Sequence, residues 1–574
     1  MNEKQQEEKF LGQILVKEGK IDSDDLDMAI REHKKTGERL GEVLIKMRLV
    51  TEDCVLKALS EQLGIPFIRL GDHEINRDLL KKFPAKLVTY YNFVPYEEVD
   101  GVIKVAVNDP LNIHVIDDLR LIIKSEIEPV ITTKRDIDEA IRKYYGIGAD
   151  TVEGLIGDSI ENENEIKVGD VEDIEEMAED ASIVRFVNQI ISEAIHDRAT
   201  DIHFEPFEED LRIRYRIDGI LYEAQIPAQI KRFQSAILSR IKIMSDMNIA
   251  ERRLPQDGKI KIKRGDEEFD LRVSTVPTPY GESISVRILN RASSFISLTH
   301  LGLDHGHLDL LQTMITKPHG IILVTGPTGS GKTTTLYASL SEINNVDKKI
   351  ITIEDPIEYR VKGVTQIQVH PVIGLTFAKI LRTILRQDPD VLMVGEIRDQ
   401  ETAEITIQTA LTGHLVFSTI HTNDACGAVT RLLDMGIEPF LISSSVEGII
   451  GQRLVRVLCP KCKTQYLPDP LILRNINPQN EDVSKVAFYR PVGCEECRYT
   501  GFMGRTAIYE MVKVNEALRR MIVETRPANI LKKQAVADGM IPMRKSGWDK
   551  VKAGVTTIEE VLRVTMEEEF GLDE

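Results

Sequence analysis

The sequence predicts a multidomain α/β protein organised around a phosphate-binding strand–loop–helix unit. Three observations point there. The chain has 574 residues, enough for about four domains at the usual domain size. Its apolar content of 42% suits packed cores. Finally, HGIILVTGPTGSGKTTTLYASLSEI (319–343) sets a glycine loop between an apolar strand and a helix, the context in which GxxxxGK[ST] binds phosphate.

Taken from the N-terminus, the first sixty residues repeat themselves. FLGQILVKEGKIDSDDLDMAIREH begins at Phe10 and RLGEVLIKMRLVTEDCVLKALSEQ at Arg39. Leu11, Gly12, Leu15, Ile21, Leu26 and Ala29 align with Leu40, Gly41, Leu44, Val50, Val55 and Ala58. The apolar spacing is helical, with Asp22/Ser23 and Thr51 as expected N-caps. Segment 1–70 is therefore expected to be a tandem helical repeat that either docks a partner or binds a ligand. Residues 71–148 read as the remainder of an α+β domain. There VPYEEVDGVIKVAVNDP gives two strands about an Asp100–Gly101 turn, and helices follow near Val115–Ile123 and Asp136–Tyr145.

Residues 149–181 are acidic and poor in large apolar side chains, the composition of a mobile tether. Residues 182–290 read as a second α+β domain. IVRFVNQIISEAI is an amphipathic helix and ATDIHFEP leads into the strand LRIRYRIDGILY. Alternation puts Leu211, Ile213, Tyr215 and Ile217 on one face and Arg212, Arg214, Arg216 and Asp218 on the other. The arginine row faces either solvent or another domain. A helix over Gln234–Asp246 and strands in RRLPQDGKIKIK and FDLRVSTVPTPYGESISVRIL complete the domain. Segment 291–316 is expected to link it to the nucleotide domain, 317–574.

Within the glycine loop, Gly326, Gly329 and Gly331 allow tight turns and close backbone approach to phosphate. Pro327, Thr328, Ser330 and Thr334 complete the cradle. Lys332 is expected on the β and γ phosphates of ATP, and Thr333 on Mg²⁺. Two later strands end in acids: IITIEDPIEY in Glu354 and Asp355, DVLMVGEIRD in Glu396 and Asp399. Ends of parallel strands face the same crevice as the loop, so Glu396 is the first candidate for the catalytic carboxylate and Glu354 the second. Either could instead brace the loops by pairing with an arginine such as Arg398. HLVFSTIHTNDA is a third apolar strand bracketed by His414 and His421; His421 is the candidate sensor of the γ phosphate.

The 73 basic and 92 acidic side chains leave a net charge of −19, which argues against nucleic acid as the main partner. No run of about 18 apolar residues occurs. MNEKQQEEKF has no apolar signal core. These features lead to an expected cytosolic location. Four of the six cysteines form CPKC (459–462) and CEEC (494–497), while Cys54 and Cys426 are expected to be lone buried thiols. Cys459, Cys462, Cys494 and Cys497 form a four-thiolate set of the kind that holds structural Zn²⁺, with no open position for catalysis.

As a set, GPTGSGKT, ITIEDPIEY, LMVGEIRD and TGHLVFSTIHTNDA, with RATDIHFEP, RYRIDG, RRLPQDGK and RVSTVPTPYGE upstream, resemble the secretion-superfamily ATPases. Those proteins power type II secretion and type IV pilus assembly, and GAVTRLLDMGIEPFLI is similar to the pilus-extension members. The resemblance implies a homohexamer whose RecA-like ATPase domain, with a zinc insertion at 459–497 and C-terminal helices, follows a PAS-like domain. It also implies a position at the cytoplasmic face of the inner membrane, against a platform protein. By the same resemblance, Arg272 and Arg287 approach the phosphates when the two domains close, and Arg382 and Arg386 lie near the subunit boundary and the nucleotide. Any one of the four could be an ordinary interface ion pair. The N-terminal repeat resembles a cyclic di-GMP-binding domain, which singles out Arg39 and Gln62. Phe10, His33 and Arg48 depart from that pattern. A nucleotide-sensing scaffold with little turnover is the reading of a different class.

Overall fold

Period-2 and unbroken apolar runs separate the sheets of this protein into one-faced and two-faced kinds. A computed structural model describes residues 11–149, 151, 180–265, 267–290, 297–476 and 481–565. The chain divides into two compact units, 1–260 with 271–288, and 261–270 with 289–574.

In the first unit, helices Ser23–Thr36, Leu40–Lys46 and Glu52–Leu63 carry the repeated apolar positions. Leu15, Leu40, Leu44 and Ala58 meet in one small core. The Asp22 carboxylate caps its helix through the Asp25 N–H at 2.7 Å. Thr51 precedes its helix without a side-chain cap, and its hydroxyl turns to Cys54 instead. Cys54 is only half-buried, against the expectation, because it lies at the edge of this small core; Cys426 is buried as expected.

Next come β1 (Phe93–Val99), β2 (Val102–Val107) and β3 (Glu126–Ile131), a three-stranded sheet in that order. The Asp100–Gly101 turn has both φ angles positive, 51° and 83°, the conformation a two-residue hairpin needs. The tether expected at 149–181 lies mostly outside the described residues. Ala149 and Thr151 are nevertheless buried, so packed chain runs past that boundary. It does so because the Ile147 N–H bonds the Gln225 carbonyl at 2.7 Å and Arg142 pairs with Glu193 at 2.6 Å.

After the helix Ala181–His196, six strands follow: β4 (Ala199–Pro206), β5 (Leu211–Ile217), β6 (Ile220–Glu223), β7 (Gln256–Arg264), β8 (Glu267–Thr278) and β9 (Gly281–Asn290). Their order is β6-β5-β4-β9-β8-β7. One face is core, built from Ile202, Ile213, Leu271 and Val286. The other carries Arg212, Arg214, Arg216, Arg272 and Arg287. On β5 the arginines are mostly neutralised by neighbours. Arg214 makes a two-point bond to Glu205 at 2.8 and 2.6 Å, and Arg212 lies over the Phe207 ring.

The second unit holds β10 (Gly320–Thr325), β11 (Ile350–Glu354), β12 (Val364–Gln368), β13 (Val391–Val394), β14 (Leu415–Ile420), β15 (Val446–Leu458), a small pair β16 (Thr464–Tyr466) and β17 (Phe488–Arg490), and β18 (Phe502–Lys513). The main sheet runs β12-β11-β13-β14-β10-β15-β18. It is parallel except for the β15–β18 pair. Both faces are covered: Ile321, Leu323, Leu392 and Val416 pack into one core, Ile322, Val324, Met393 and Phe417 into the other. This is the RecA-like P-loop core.

The described part of the expected linker, 297–316, is packed chain. Leu298, Leu301, Leu311, Met314 and Ile315 enter the same core as β10, because the helix His305–Ile315 has an apolar stripe that needs a sheet to cover. Among the described residues no helix is long and apolar enough to cross a membrane.

Candidate active site

Parallel register brings the chemistry together. Thr325, the last residue of β10, pairs with Ile420 of β14, and Val394 of β13 pairs with Ser418 of β14 and Ile353 of β11. The residues at or just past these strand ends (Gly326, His421, Glu396 and Glu354 with Asp355) therefore share one edge of the sheet. The Thr325 hydroxyl stitches two of them, lying 2.6 Å from the Thr422 hydroxyl and 3.0 Å from its N–H.

The glycine loop runs from Gly326 into the helix Lys332–Ile343. Gly326 has φ 147°, and a Cβ there would stand 2.5 Å from the Gln452 carbonyl. Gly331, at φ 86°, would put its Cβ 2.8 Å from the Gln452 amide. Neither position has room for a side chain. Lys332 folds back on the loop, donating to the Gly326 and Pro327 carbonyls at 2.8 and 3.0 Å. Burial pushes its pKa down to about 8; Glu396 opposes the shift and the Arg453 guanidinium adds to it. The Ser330 hydroxyl is buried with no hydrogen-bond partner among the described residues. Its orphaned oxygen, a withdrawn lysine and half-buried Thr333 and Thr334 at the helix start fit a phosphate group with its Mg²⁺. Pro327, Thr328 and Gly329 are exposed on the outer rim of the loop.

Glu396 is 13% exposed, paired with Arg398 at 2.5 Å and with His421 Nε2 at 3.3 Å. It thus sits beside His421 with its carboxylate engaged by two cationic or proton-bearing groups. Arg398, Asp355 and Asp399 line the same cavity. Glu354 is placed differently. It is 3% exposed and accepts from Thr352 at 2.5 Å, from Gln366 at 3.1 Å and from the Tyr337 hydroxyl. Three donors saturate it, and its carboxylate raises the pKa of Tyr337, which burial already lifts.

His414 lies at the start of β14, the far edge of the sheet, about 20 Å from His421 at strand rise. It bonds the Thr409 carbonyl at 3.0 Å, so the two histidines do not form one site. Arg382 pairs with Glu401 at 2.7 Å, and Arg386 donates to the Arg382 carbonyl. In the first unit, Arg272 lies on β8, Arg287 on β9 bonds Asp201, and Arg39 pairs with Asp109 at 2.7 Å. Gln62 is half-buried in the helix Glu52–Leu63.

Sequence reasoning missed Gln452 and Arg453. The Gln452 side chain accepts from Thr335 at 2.7 Å. Arg453 donates to the Asn423 carbonyl at 2.7 Å, holding the segment after His421 against β15. The signal was present: a Gln–Arg pair interrupts the apolar run IIGQRLVRVL. Glu510 was missed for want of any signal. It is 1% exposed and accepts the Ala425 N–H at 2.7 Å.

Away from this edge, the Sγ atoms of Cys459, Cys462, Cys494 and Cys497 lie within 4.8 Å of one another. Gly501 N–H points at the Cys497 sulfur at 3.2 Å. Four convergent thiolates with backbone N–H support suit tetrahedral Zn²⁺ of the structural kind. The metal would tie the ends of segment 459–497 together, and it leaves no position for a reacting group.

The family described as Type II/IV secretion system protein matches residues 176–563, and the MshEN domain matches 63–151. The type IV pilus assembly ATPase PilB of Myxococcus xanthus is 43% identical over 565 residues, 98% of this chain and 99% of that protein. The type II secretion system protein E of Xanthomonas campestris is 41% identical over 562 residues, covering 96% and 98%. The ATPase DotB of Legionella pneumophila superposes with a TM-score of 0.50 at 19% identity over 67% of this chain and 95% of that one, a likeness of fold alone. A P-loop at one edge of a parallel sheet, a carboxylate beside it and this extent of identity lead to one conclusion: the chain belongs to the type II/IV secretion system protein family and is an ATP-hydrolysing enzyme.

Proposed function

We propose that the protein is the hexameric motor that extends type IV pili, working on an inner-membrane platform protein from its cytoplasmic face. The observation that carries this is the convergence of Lys332, Glu396 and His421 on one sheet edge. In the proposed cycle Lys332 leaves the loop carbonyls for the β and γ phosphates, and Thr333 would hold Mg²⁺, whose charge would offset that developing on the phosphoryl oxygens. Glu396 orients the attacking water, and His421 reports loss of the γ phosphate through their shared contact. Glu354, held by three donors, braces β11, and Asp355 lies at the mouth of the cavity. Arg272 and Arg287 approach the phosphates on domain closure, which gives ATP and ADP different preferences for the closed state. Without such a difference hydrolysis moves nothing. Arg382 and Arg386 act at the neighbouring subunit's nucleotide.

Cyclic di-GMP is the ligand we propose for the N-terminal region, with Arg39 and Gln62 as contacts; both precede the segment matched as MshEN. Calorimetric titration of the wild type and Arg39→Ala with cyclic di-GMP checks it. Type II secretion is the second reading, since relatives of both names are 43% and 41% identical. The deciding experiment measures surface pili and exoprotein release in cells carrying Arg272→Ala. Loss of pili with retained nucleotide binding is expected. Normal piliation with lost exoprotein release would transfer the motor to secretion.

A further inference from the structure

The sheet of the first unit places one aspartate between two arginines. Asp201 on β4 stands opposite Arg216 of β5 and, on its other side, opposite Arg287 of β9. All three point to the face away from the core. Asp201 itself is 8% exposed. Its Oδ2 accepts from the Thr200 hydroxyl at 2.8 Å and faces Arg216 Nε at 3.7 Å. Its Oδ1 accepts from Arg287 Nε at 3.1 Å.

Three arginines on this face hold their carboxylate partners differently. Arg214 lays two nitrogens on Glu205 and is spent. Arg216 is divided between Asp201 and the Gly219 carbonyl at 3.0 Å. Arg287 is held at Nε alone, its side chain is 55% exposed, and its terminal nitrogens bond nothing among the described residues. The cause is local. Thr200 and Arg216 occupy the second oxygen of Asp201, so the carboxylate cannot take Arg287 in a two-point fork. A guanidinium gripped by one edge keeps its outer pair of nitrogens for another planar or tetrahedral anion.

We propose that Asp201 is a positioning residue for Arg287, fixing its Nε so that the terminal nitrogens meet the phosphoryl oxygens of a nucleoside triphosphate. This rests on the reading of Arg287 as a phosphate-approaching arginine. Without Asp201, Arg287 and Arg216 face each other across a strand with no anion between them, and Arg287 swings into solvent. Oriented arginines of this kind contribute about 10³–10⁵ in turnover; losing orientation but not the residue forfeits part of that.

The test is steady-state phosphate release by the full-length protein, comparing Asp201→Ala, Arg287→Ala and the double variant. Asp201→Ala is expected to lower kcat about tenfold or more with KM within about twofold, the pattern of an interaction made in the transition state. In the Arg287→Ala background the same change is expected to do almost nothing, since contacts that act through one another are not additive. Asp201→Asn keeps a carbonyl acceptor for Nε and is expected to recover most of the rate. Asp201→Ser, too short to reach Nε, carries the cycle if the alanine variant does not fold. Arg287→Ala slowing turnover while Asp201→Ala and Asp201→Asn leave it unchanged would overturn the positioning role alone. Multiplicative losses in the double variant would reduce Asp201 to a structural residue. A silent Arg287→Ala would remove the phosphate-approaching reading and this inference with it.

Discussion

Raising the pH above 8 is expected to weaken nucleotide binding through Lys332. Its ammonium is buried and points at two carbonyls, and its pKa sits at about 8 instead of the ordinary 10.5. Burial is the main cause and the charge of Arg453 adds to it, while Glu396 works the other way. Phosphate oxygens stabilise the charged form, so the bound state must hold the proton to higher pH than the free state. Free protein at pH 7 is then about nine-tenths charged at this lysine, and at pH 9 about one-tenth. Affinity for Mg·ADP should be flat below about pH 7.5 and fall about tenfold, about 1.4 kcal/mol, between pH 7 and 9. Binding at pH 9 should take up nearly one proton, about 0.9 per nucleotide. Calorimetric titration in two buffers of different ionisation heat reads both quantities. Lys332→Arg should bind with no such slope, because a guanidinium does not titrate in this range. A flat affinity across pH 8–9.5 in the wild type, with no proton uptake, would refute the withdrawn, desolvated lysine.

Three further outcomes follow from the same structure. Glu396→Gln should keep Mg·ATP binding within a few-fold and lower turnover by about 10² or more, read by phosphate release beside equilibrium binding. Cys494→Ser should lose the bound zinc, measured by atomic emission, and melt segment 459–497 at lower temperature, since such sites supply folding energy directly. Lys242, 1% exposed, pairs with Glu282 at 2.9 Å. Lys242→Ala should destabilise the six-stranded domain by about 3–5 kcal/mol, whereas Lys242→Met with Glu282→Leu should be nearly neutral, as followed by thermal melting.

The local chemistry was legible in the sequence because it is written in contiguous residues. GPTGSGKT needs its own glycines: Gly326 and Gly331 have no space for a Cβ. The Asp100–Gly101 turn needs left-handed backbone at both positions. Alternation along LRIRYRI put the arginines on the non-core face, where the sheet has them. The two CxxC pairs implied a single four-sulfur cluster, and they converge.

What the sequence alone could not decide is which distant residues share an edge, and with whom. Two histidines bracket one apolar strand, yet β14 carries them to opposite ends of the sheet, and only His421 meets Glu396. Glu354 and Glu396 each follow an apolar strand end. One is sealed by Tyr337, Thr352 and Gln366, the other faces the loop. Glu510 and Asp201 carry no local signal: folding brings Ala425 N–H to the first, and strand pairing sets Arg287 opposite the second. The physical reason is range. Backbone dihedrals and side-chain alternation are settled within a few residues, whereas burial, pKa and pairing depend on strand register and on neighbours that only the folded chain supplies.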